Sequence, residues 1–173
     1  GAAFDPNDGE SFVGAMEPLP PPLDDWELSV QHAWKSGSSA IECSMSSFTN
    51  PWPPDQFRFA GGTESELVYR AGSYFFFSTS LGNWFDRSRR LPLETPTVQD
   101  FDVDWSNHDR LVLAFAEEGA SICDLAEQTC SEIGGIPAGA RVNAVRFAPS
   151  NSDVILISAS VDGHLAIHLS TDG

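Results

Sequence analysis

The chemically reactive residues of this chain do not have the spacing of a catalytic or metal site. The four histidines are His32, His108, His164 and His168. His164 and His168 share one face of a predicted strand, but the strand rise separates them by about 13 Å, too far for one metal ion. No serine stands in a Gly-x-Ser-x-Gly turn, and no glycine-rich phosphate-binding loop occurs. We therefore expect a protein that is not an enzyme and that binds no cofactor or metal.

The cysteines are the other residues with reactive side chains, and they number three: Cys43, Cys123 and Cys130. Their odd number and irregular spacing predict reduced thiols that are buried as small apolar groups. Cys123 and Cys130 flank a predicted turn at residues 126–129, so a disulfide across that hairpin is the alternative. Two thiols alone do not make a zinc site.

A cluster of arginine and aromatic residues is a candidate for partner binding. Arg87, Arg89 and Arg90 lie within four positions, just after Trp84 and Phe85. Tryptophan and arginine frequently supply much of the binding energy of protein interfaces. The cluster therefore predicts a partner-binding anchor. The alternative is a solvated loop whose arginines pair with the acidic surface of this same protein.

The first part of the chain, residues 1–38, differs from the rest in composition. It is acidic, contains the run Pro20-Pro21-Pro22, and has no lysine or arginine before Lys35, which predicts a flexible arm with a short polyproline stretch. The alternation after Trp26 predicts a strand that docks on the first sheet. Trp26 and Trp34 are therefore further candidates for partner binding, and a strand that only covers this protein is the alternative.

The net charge of the chain is −16, from 25 acidic and nine basic residues. Phosphate binding needs a cationic face, so nucleic acid is not expected as the main ligand. The acidic residues are spread along the chain, which is typical of solvated strands and loops, and a basic protein is the partner that they favour. No apolar run has membrane-spanning length. We expect an intracellular protein, cytoplasmic or nuclear.

The elements that position these residues are clearest at the end of the chain. Residues 142–147, 154–160 and 165–169 form three short apolar or alternating runs. The pair Asp162-Gly163 between the last two runs is a strong hairpin signal. The sequence therefore predicts an antiparallel sheet of at least three strands, with a tight second turn at Asp162 and Gly163.

Two further segments repeat this layout. In residues 98–125, strands are predicted at 101–105, 111–115 and 121–125, and Trp105 takes the place that Phe147 holds about forty residues later. A fainter copy begins at residue 40, with strands predicted at 41–45, 56–60, 67–69 and 74–78. The period-2 pattern predicts a buried core. Its members are Trp105, Leu111, Leu113, Ile122, Val145, Phe147, Ile155, Ile157, Leu165 and Ile167.

Repeats of about forty residues with three visible strands resemble the WD-repeat (tryptophan–aspartate repeat) family, whose members build β-propellers. The best match is residues 142–169, which carry a Val-x-x-Val-x-Phe-x-Pro first strand. In the middle copy, Cys123-Asp124 stands where the family closes with Trp-Asp. The resemblance implies that Asp162 bonds polar groups on neighbouring strands. A generic antiparallel sandwich of hairpins is the alternative.

The resemblance implies an all-β fold with antiparallel blades of a partial WD-repeat-like β-propeller. Residues 39–173 would form about three blades, with a loop or insertion near 82–97. Three blades do not close a ring, so we expect a segment of a larger protein or assembly, with other proteins completing the sheet or propeller. The function implied is a non-catalytic protein-interaction scaffold. A regulatory or targeting module whose acidic arm recruits a partner is the main alternative, and an accessory domain of an enzyme is a further one.

Overall fold

A computed structural model gives the fold of the chain. It describes strand backbone at residues 2–4, 12–15, 27–35 and 41–49, and it describes residues 56–60, 66–78, 87–91, 97–116 and 119–171. These ranges contain strands and turns and no helix. The prediction of an all-β fold is therefore confirmed for the described part of the chain.

The described strands form four antiparallel sheets, each built from strands that follow one another along the chain. The first two sheets consist of β1 (Ala2–Phe4), β2 (Phe12–Ala15), β3 (Glu27–Lys35) and β4 (Ile41–Thr49), and of β5 (Gln56–Ala60), β6 (Glu66–Ala71), β7 (Tyr74–Ser78) and β8 (Arg87–Arg90). The other two consist of β9 (Val98–Val103), β10 (Arg110–Phe115), β11 (Gly119–Asp124) and β12 (Thr129–Glu132), and of β13 (Arg141–Ala148), β14 (Asn151–Val161) and β15 (His164–Ser170). This sequential order is that of a propeller blade.

The repeat copies differ in how well the sequence locates them. The predicted strands of the last two copies match β9, β10 and β11 and β13, β14 and β15. The faint first copy is wrong in phase, because Ile41–Thr49 is the last strand of the first sheet and Gln56–Ala60 opens the second. Arg87–Arg90, predicted within a loop or insertion near 82–97, form the fourth strand of that second sheet.

The chain divides into two compact units, Gly1–Ser88 and Arg89–Gly173. In the first unit, Leu67, Val68 and Tyr69 of β6 are all fully buried, so this strand is covered on both faces. The Tyr69 ring stacks on Phe76 with centroids 4.7 Å apart. Strands β1, β2 and β3 lie within the segment predicted as an arm, and the predicted boundary near residue 38 stays a prediction.

The second unit packs the sheet β9–β12 against the sheet β13–β15 through one apolar core. Alternating residues of β13 and β14 point into it, because antiparallel neighbours that are directly opposite share one face. The core consists of Val112, Ala114, Ala120, Ala140, Val142, Val145, Phe147, Ile155, Ile157 and Ala159. Most of the predicted core residues are therefore buried here or, like Leu111 and Leu113, on the other face of β10.

Three residues of the predicted core are exposed. Leu165 and Ile167 are 69% and 75% exposed because they lie on the outer face of β15, where no described residue packs on them. The core-facing side of β15 instead carries Ala166 and His168, opposite Ala159 and Ile157. Trp105 is 37% exposed because β9 ends at Val103, before this residue.

Cys123 and Cys130 form a disulfide, so the prediction of reduced thiols is wrong for these two residues. They are directly opposite each other in the β11–β12 pair, with Cα atoms 4.1 Å apart. The short β11–β12 turn sets this register, and it is the alternative that the hairpin spacing left open. The bond fixes the edge strand β12 to its sheet.

The predicted hairpin turn lies between Val161 and His164, which are paired in the β14–β15 ladder. Asp162 and Gly163 have φ values of 50° and 80°, and positive φ at both central residues is the pattern of a type I′ turn. Asp162 is exposed, and no described residue forms a hydrogen bond with its carboxylate. The expected bond to neighbouring strands is therefore absent in the described residues, and its backbone conformation explains the choice of Asp.

We expect Asp162→Ala to lower the free energy of unfolding by about 1 kcal/mol, because alanine tolerates positive φ poorly. Asp162→Asn and Asp162→Gly keep residue types that adopt this conformation and should be nearly neutral. Urea unfolding of the three variants measures the difference. Equal stability of the Ala and Asn variants would show that the turn conformation is not what selects the residue.

Candidate protein-interaction surface

The outer face of the last sheet carries a stripe of exposed apolar side chains. Leu165, Ile167 and Leu169 of β15 are 69%, 75% and 60% exposed, and Leu156 of β14 is 42% exposed. Leu156 lies directly opposite Leu169, so all four share one face. We call these four residues the outer apolar stripe. Contiguous exposed apolar groups of this kind are typical of protein interaction sites.

The stripe lies along an edge of its sheet. β15 pairs only with β14 among the described strands, whereas the other three sheets have four strands each. An edge strand presents unpaired backbone N–H and C=O groups, which proteins usually protect with charge, proline or a bulge. Residues 164–170 contain none of the charged residues Asp, Glu, Lys and Arg and no proline, and their ladder with β14 runs without a register shift.

The opposite edge of the same sheet, β13, is protected by carboxylates of the neighbouring sheet. The backbone N–H of Val145 donates to Asp100 Oδ2 at 3.1 Å, and that of Phe147 donates to Asp102 Oδ2 at 2.9 Å. Arg146 also forms an ion pair with Asp100. We call these contacts the aspartate seam. Asp100 is buried and Asp102 half-buried, which corrects the interpretation that these acidic residues are solvated.

Arg110 of β10 contacts both sheets at one end of the seam. Arg110 Nη1 donates to Asp104 Oδ2 at 2.8 Å and to the Ser152 carbonyl at 3.2 Å, and its guanidinium lies 5.3 Å from the Phe147 ring centroid. Burial raises the pKa of Asp104, but hydrogen bonds from the hydroxyl and N–H of Ser106 and from Arg110, with the Arg110 charge, hold it below its ordinary value. The Arg110 side chain is therefore bound by residues of this protein.

A cavity of about 330 Å³ lies between the sheets. The β15 residue that lines it is Ser170, which lies on the core-facing side opposite Ile155. On the other sheet its polar lining consists of Arg110, Asp124, Thr129, Ser131 and Glu132. Arg110 is paired with Asp104, and Asp124 Oδ1 accepts the backbone N–H groups of Ala126 and Glu127.

The arginine cluster predicted as a partner anchor is only partly described. Arg89 Nε lies 3.6 Å from Asp109 Oδ1, with the two side chains 37% and 21% exposed. Arg90 is exposed and its carbonyl accepts a hydrogen bond from Gln128 Nε2 at 3.1 Å. Arg87 lies in β8. The Arg89 contact is of the kind that the alternative, ion pairing with the acidic surface, predicts.

Of the four aromatic candidates for partner binding, one lies in a described strand. Trp84, Phe85 and Trp26 lie outside the described residues. Trp34 lies in β3, opposite Glu42 of β4. Their role in partner binding stays a prediction. The two turn residues, Asp162 and Gly163, are at the hairpin tip next to the outer apolar stripe.

Within the described ranges, no group of three histidine, cysteine or acidic side chains is arranged to hold a metal ion. None of the described segments forms a helix with the length and hydropathy that a membrane crossing needs. No protein-family model matches the chain, and no curated protein matches its sequence.

Proposed function

We propose that this protein is a non-catalytic interaction scaffold of the WD-repeat-like kind, whose last sheet binds another protein. The observation that carries the proposal is the outer apolar stripe, with three side chains at least 60% exposed, on a strand that pairs with no described strand other than β14. Rigid antiparallel sheets that hold such a face in one place are suited to binding a partner and not to chemistry. The sequential order of the strands in all four described sheets supports the WD-repeat likeness.

The energetics favour burial of this face in an assembly. Each large aliphatic side chain gains about 1.5–3 kcal/mol when it moves from water into a packed interior. Four such residues on one face are a compact hydrophobic centre for an interface. The net charge of −16 favours a basic partner, because opposite charges speed association.

The test compares what the full chain captures before and after charge is placed on the face. Ile167→Lys/Leu169→Lys disrupts the outer apolar stripe, while Ser150→Lys/Ala126→Lys adds the same charge at exposed positions away from it. Proteins captured by the wild type and by the control pair, but lost by at least about tenfold with the face pair, support the proposal.

Two outcomes would contradict the scaffold function. Capture that is unchanged in the face variant would move binding to another surface. In that case the acidic arm of residues 1–38, whose removal the same assay can include, would be the alternative. Capture of nothing by the wild-type chain would leave no interaction for a scaffold to perform.

The proposed location is intracellular, cytoplasmic or nuclear, and one observation counts against it. Disulfides persist mainly in oxidising compartments, and Cys123 is bonded to Cys130. Thiol labelling of the protein in intact cells distinguishes a reducing from an oxidising compartment, because a reducing compartment leaves both cysteines free to react.

A further inference from the structure

The edge strand β12 is held on its sheet with little help from side-chain packing. Thr129, Ser131 and Glu132 are exposed, and Cys130 is the one residue of the strand that is half-buried. None of the four belongs to the apolar core between the two sheets. A short edge strand without a buried apolar side chain depends mainly on its backbone ladder, and such strands open easily.

The backbone ladder between β11 and β12 is short, because four residue pairs form it. Cys123 and Cys130 are directly opposite each other, with Cα atoms 4.1 Å apart. This is the closer spacing of an antiparallel ladder, which belongs to pairs that exchange no backbone hydrogen bonds. The neighbouring pairs are therefore the hydrogen-bonded ones, and on β12 they contain Thr129 and Ser131. The amides of these two residues report on whether β12 is attached.

The chain on both sides of β12 is fixed independently of the disulfide. In the turn before it, Asp124 Oδ1 accepts the backbone N–H groups of Ala126 and Glu127, each at 2.9 Å. After it, the N–H of Ile133 donates to the Ala120 carbonyl at 2.9 Å, and the Ile133 side chain packs against the core. Opening can therefore stay confined to the strand itself.

A thiol reductant has better access to one end of the disulfide than to the other. Cys123 is fully buried, whereas Cys130 is half-buried. A thiolate of a dithiol that attacks Cys130 Sγ forms a mixed disulfide and displaces Cys123 as a thiolate, which takes up a proton. The second thiolate of the dithiol then releases Cys130. Two electrons and two protons have passed to the protein, and the dithiol leaves as a cyclic disulfide.

We propose that the disulfide of Cys123 and Cys130 is a redox switch for β12. The oxidised protein holds the edge strand on β11, and reduction by a dithiol separates β12 from β11 while the core stays folded. Separation leaves backbone N–H and C=O groups of β11 without partners, and an edge of this kind can pair with another chain. It also opens the wall that Thr129 and Ser131 contribute to the cavity. The switch belongs to a different sheet from the outer apolar stripe and does not depend on what the stripe binds.

Hydrogen exchange followed by NMR tests the switch on the full chain, before and after reduction with dithiothreitol without denaturant. Alkylation and mass spectrometry measure the reduced fraction. Reduction should raise the exchange rates of the Thr129 and Ser131 amides at least about tenfold, because it removes a short crosslink from the opening equilibrium. The amides of Val112 and Ala114 in the core should stay within about twofold. Oxidised glutathione should restore the protection of β12.

Two serine variants separate the loss of this bond from other effects of the reductant. Cys130→Ser removes the disulfide without a reductant, and because the position is half-buried the variant is expected to fold. Its β12 amides should exchange like those of the reduced wild type. Cys43→Ser removes the third cysteine, which lies in β4, and should keep the full response of β12 to reduction. A response that is lost in Cys43→Ser would overturn the proposal.

Three further results would also overturn it. Unchanged exchange of Thr129 and Ser131 in the fully reduced protein would show that the ladder alone holds β12. Faster exchange throughout the second unit, with loss of the circular dichroism signal, would make the bond a crosslink that the whole unit needs and not a switch for one strand. A disulfide that dithiothreitol leaves intact in the native protein would be closed to reductants.

Discussion

The Asp100→Ala/Asp102→Ala variant is expected to lower the free energy of unfolding by about 3–5 kcal/mol. Each carboxylate accepts the backbone N–H of an edge-strand residue, at 3.1 Å for Val145 and 2.9 Å for Phe147. Val145 is fully buried, so its N–H would lose its acceptor without gaining water. Hydrogen exchange followed by NMR measures the loss of these hydrogen bonds directly. The amides of Val145 and Phe147 should exchange faster in the variant than in the wild type.

The controls separate the seam from charge. Asp153→Ala removes the same charge from an exposed position on β14 and should change stability by less than about 0.5 kcal/mol. Asp100→Asn/Asp102→Asn keeps an oxygen acceptor for each N–H and should lose less stability than the alanine pair. If the exchange of Val145 and Phe147 in the alanine pair equals that in Asp153→Ala, the seam does not hold the edge strand.

The aspartate seam also shows what the sequence does not reveal about this fold. Asp100, Asp102 and Asp104 alternate with apolar residues, and the same pattern describes a strand with one solvated face. Whether that face meets water or the edge of another sheet depends on the packing of β13 over β9. The signal that was available is the spacing of two residues, which matches the spacing of N–H groups that point to one side of a strand.

Burial of the last strand was predicted wrongly for a related reason. The alternation of Leu165, Ile167 and Leu169 correctly located β15, but an alternating pattern does not state which face of the strand is covered. Ala159 and Ile157 of β14 are in the core. Their partners on β15, Ala166 and His168, therefore lie on its core-facing side. The apolar side chains of β15 therefore lie on its outer face, where they form most of the outer apolar stripe.

Local turn chemistry was the most predictable feature of the chain. Asp162-Gly163 selects the hairpin by backbone conformation alone, which needs no knowledge of distant residues. The spacing of Cys123 and Cys130 held comparable local information, since the short turn between them places them opposite each other. The first repeat was misplaced because one sheet ends at Thr49 and another begins at Gln56. The proline-rich composition of the sequence between them does not distinguish a long turn within a sheet from a link between two sheets.

The Asp104→Ala variant is expected to lower the free energy of unfolding by about 2–4 kcal/mol. Its carboxylate accepts hydrogen bonds from Ser106 and from Arg110, and the Asp104 and Arg110 side chains are 2% and 19% exposed. Removal leaves the half-buried guanidinium against Phe147 without its anion. A double-mutant cycle with Arg110→Met, measured by urea unfolding, isolates the coupling between the two residues.

The pH dependence of stability should change in the same variant. The pKa of Asp104 is lower in the folded protein than its ordinary value of about 3.9, so its contribution is complete above that value and is lost as the pH falls through the folded pKa. Asp104→Asn should therefore lose less stability than the wild type between roughly pH 5 and pH 2, the range in which carboxylates titrate.

Asp109→Ala is the matched control for Asp104→Ala, because the 3.6 Å contact between Asp109 and Arg89 is partly exposed and should be worth less than about 1 kcal/mol. Equal costs for the alanine variants at positions 104 and 109, with parallel pH profiles for Asp104→Asn and wild type, would show that the ion pair of Asp104 and Arg110 does not stabilise the fold.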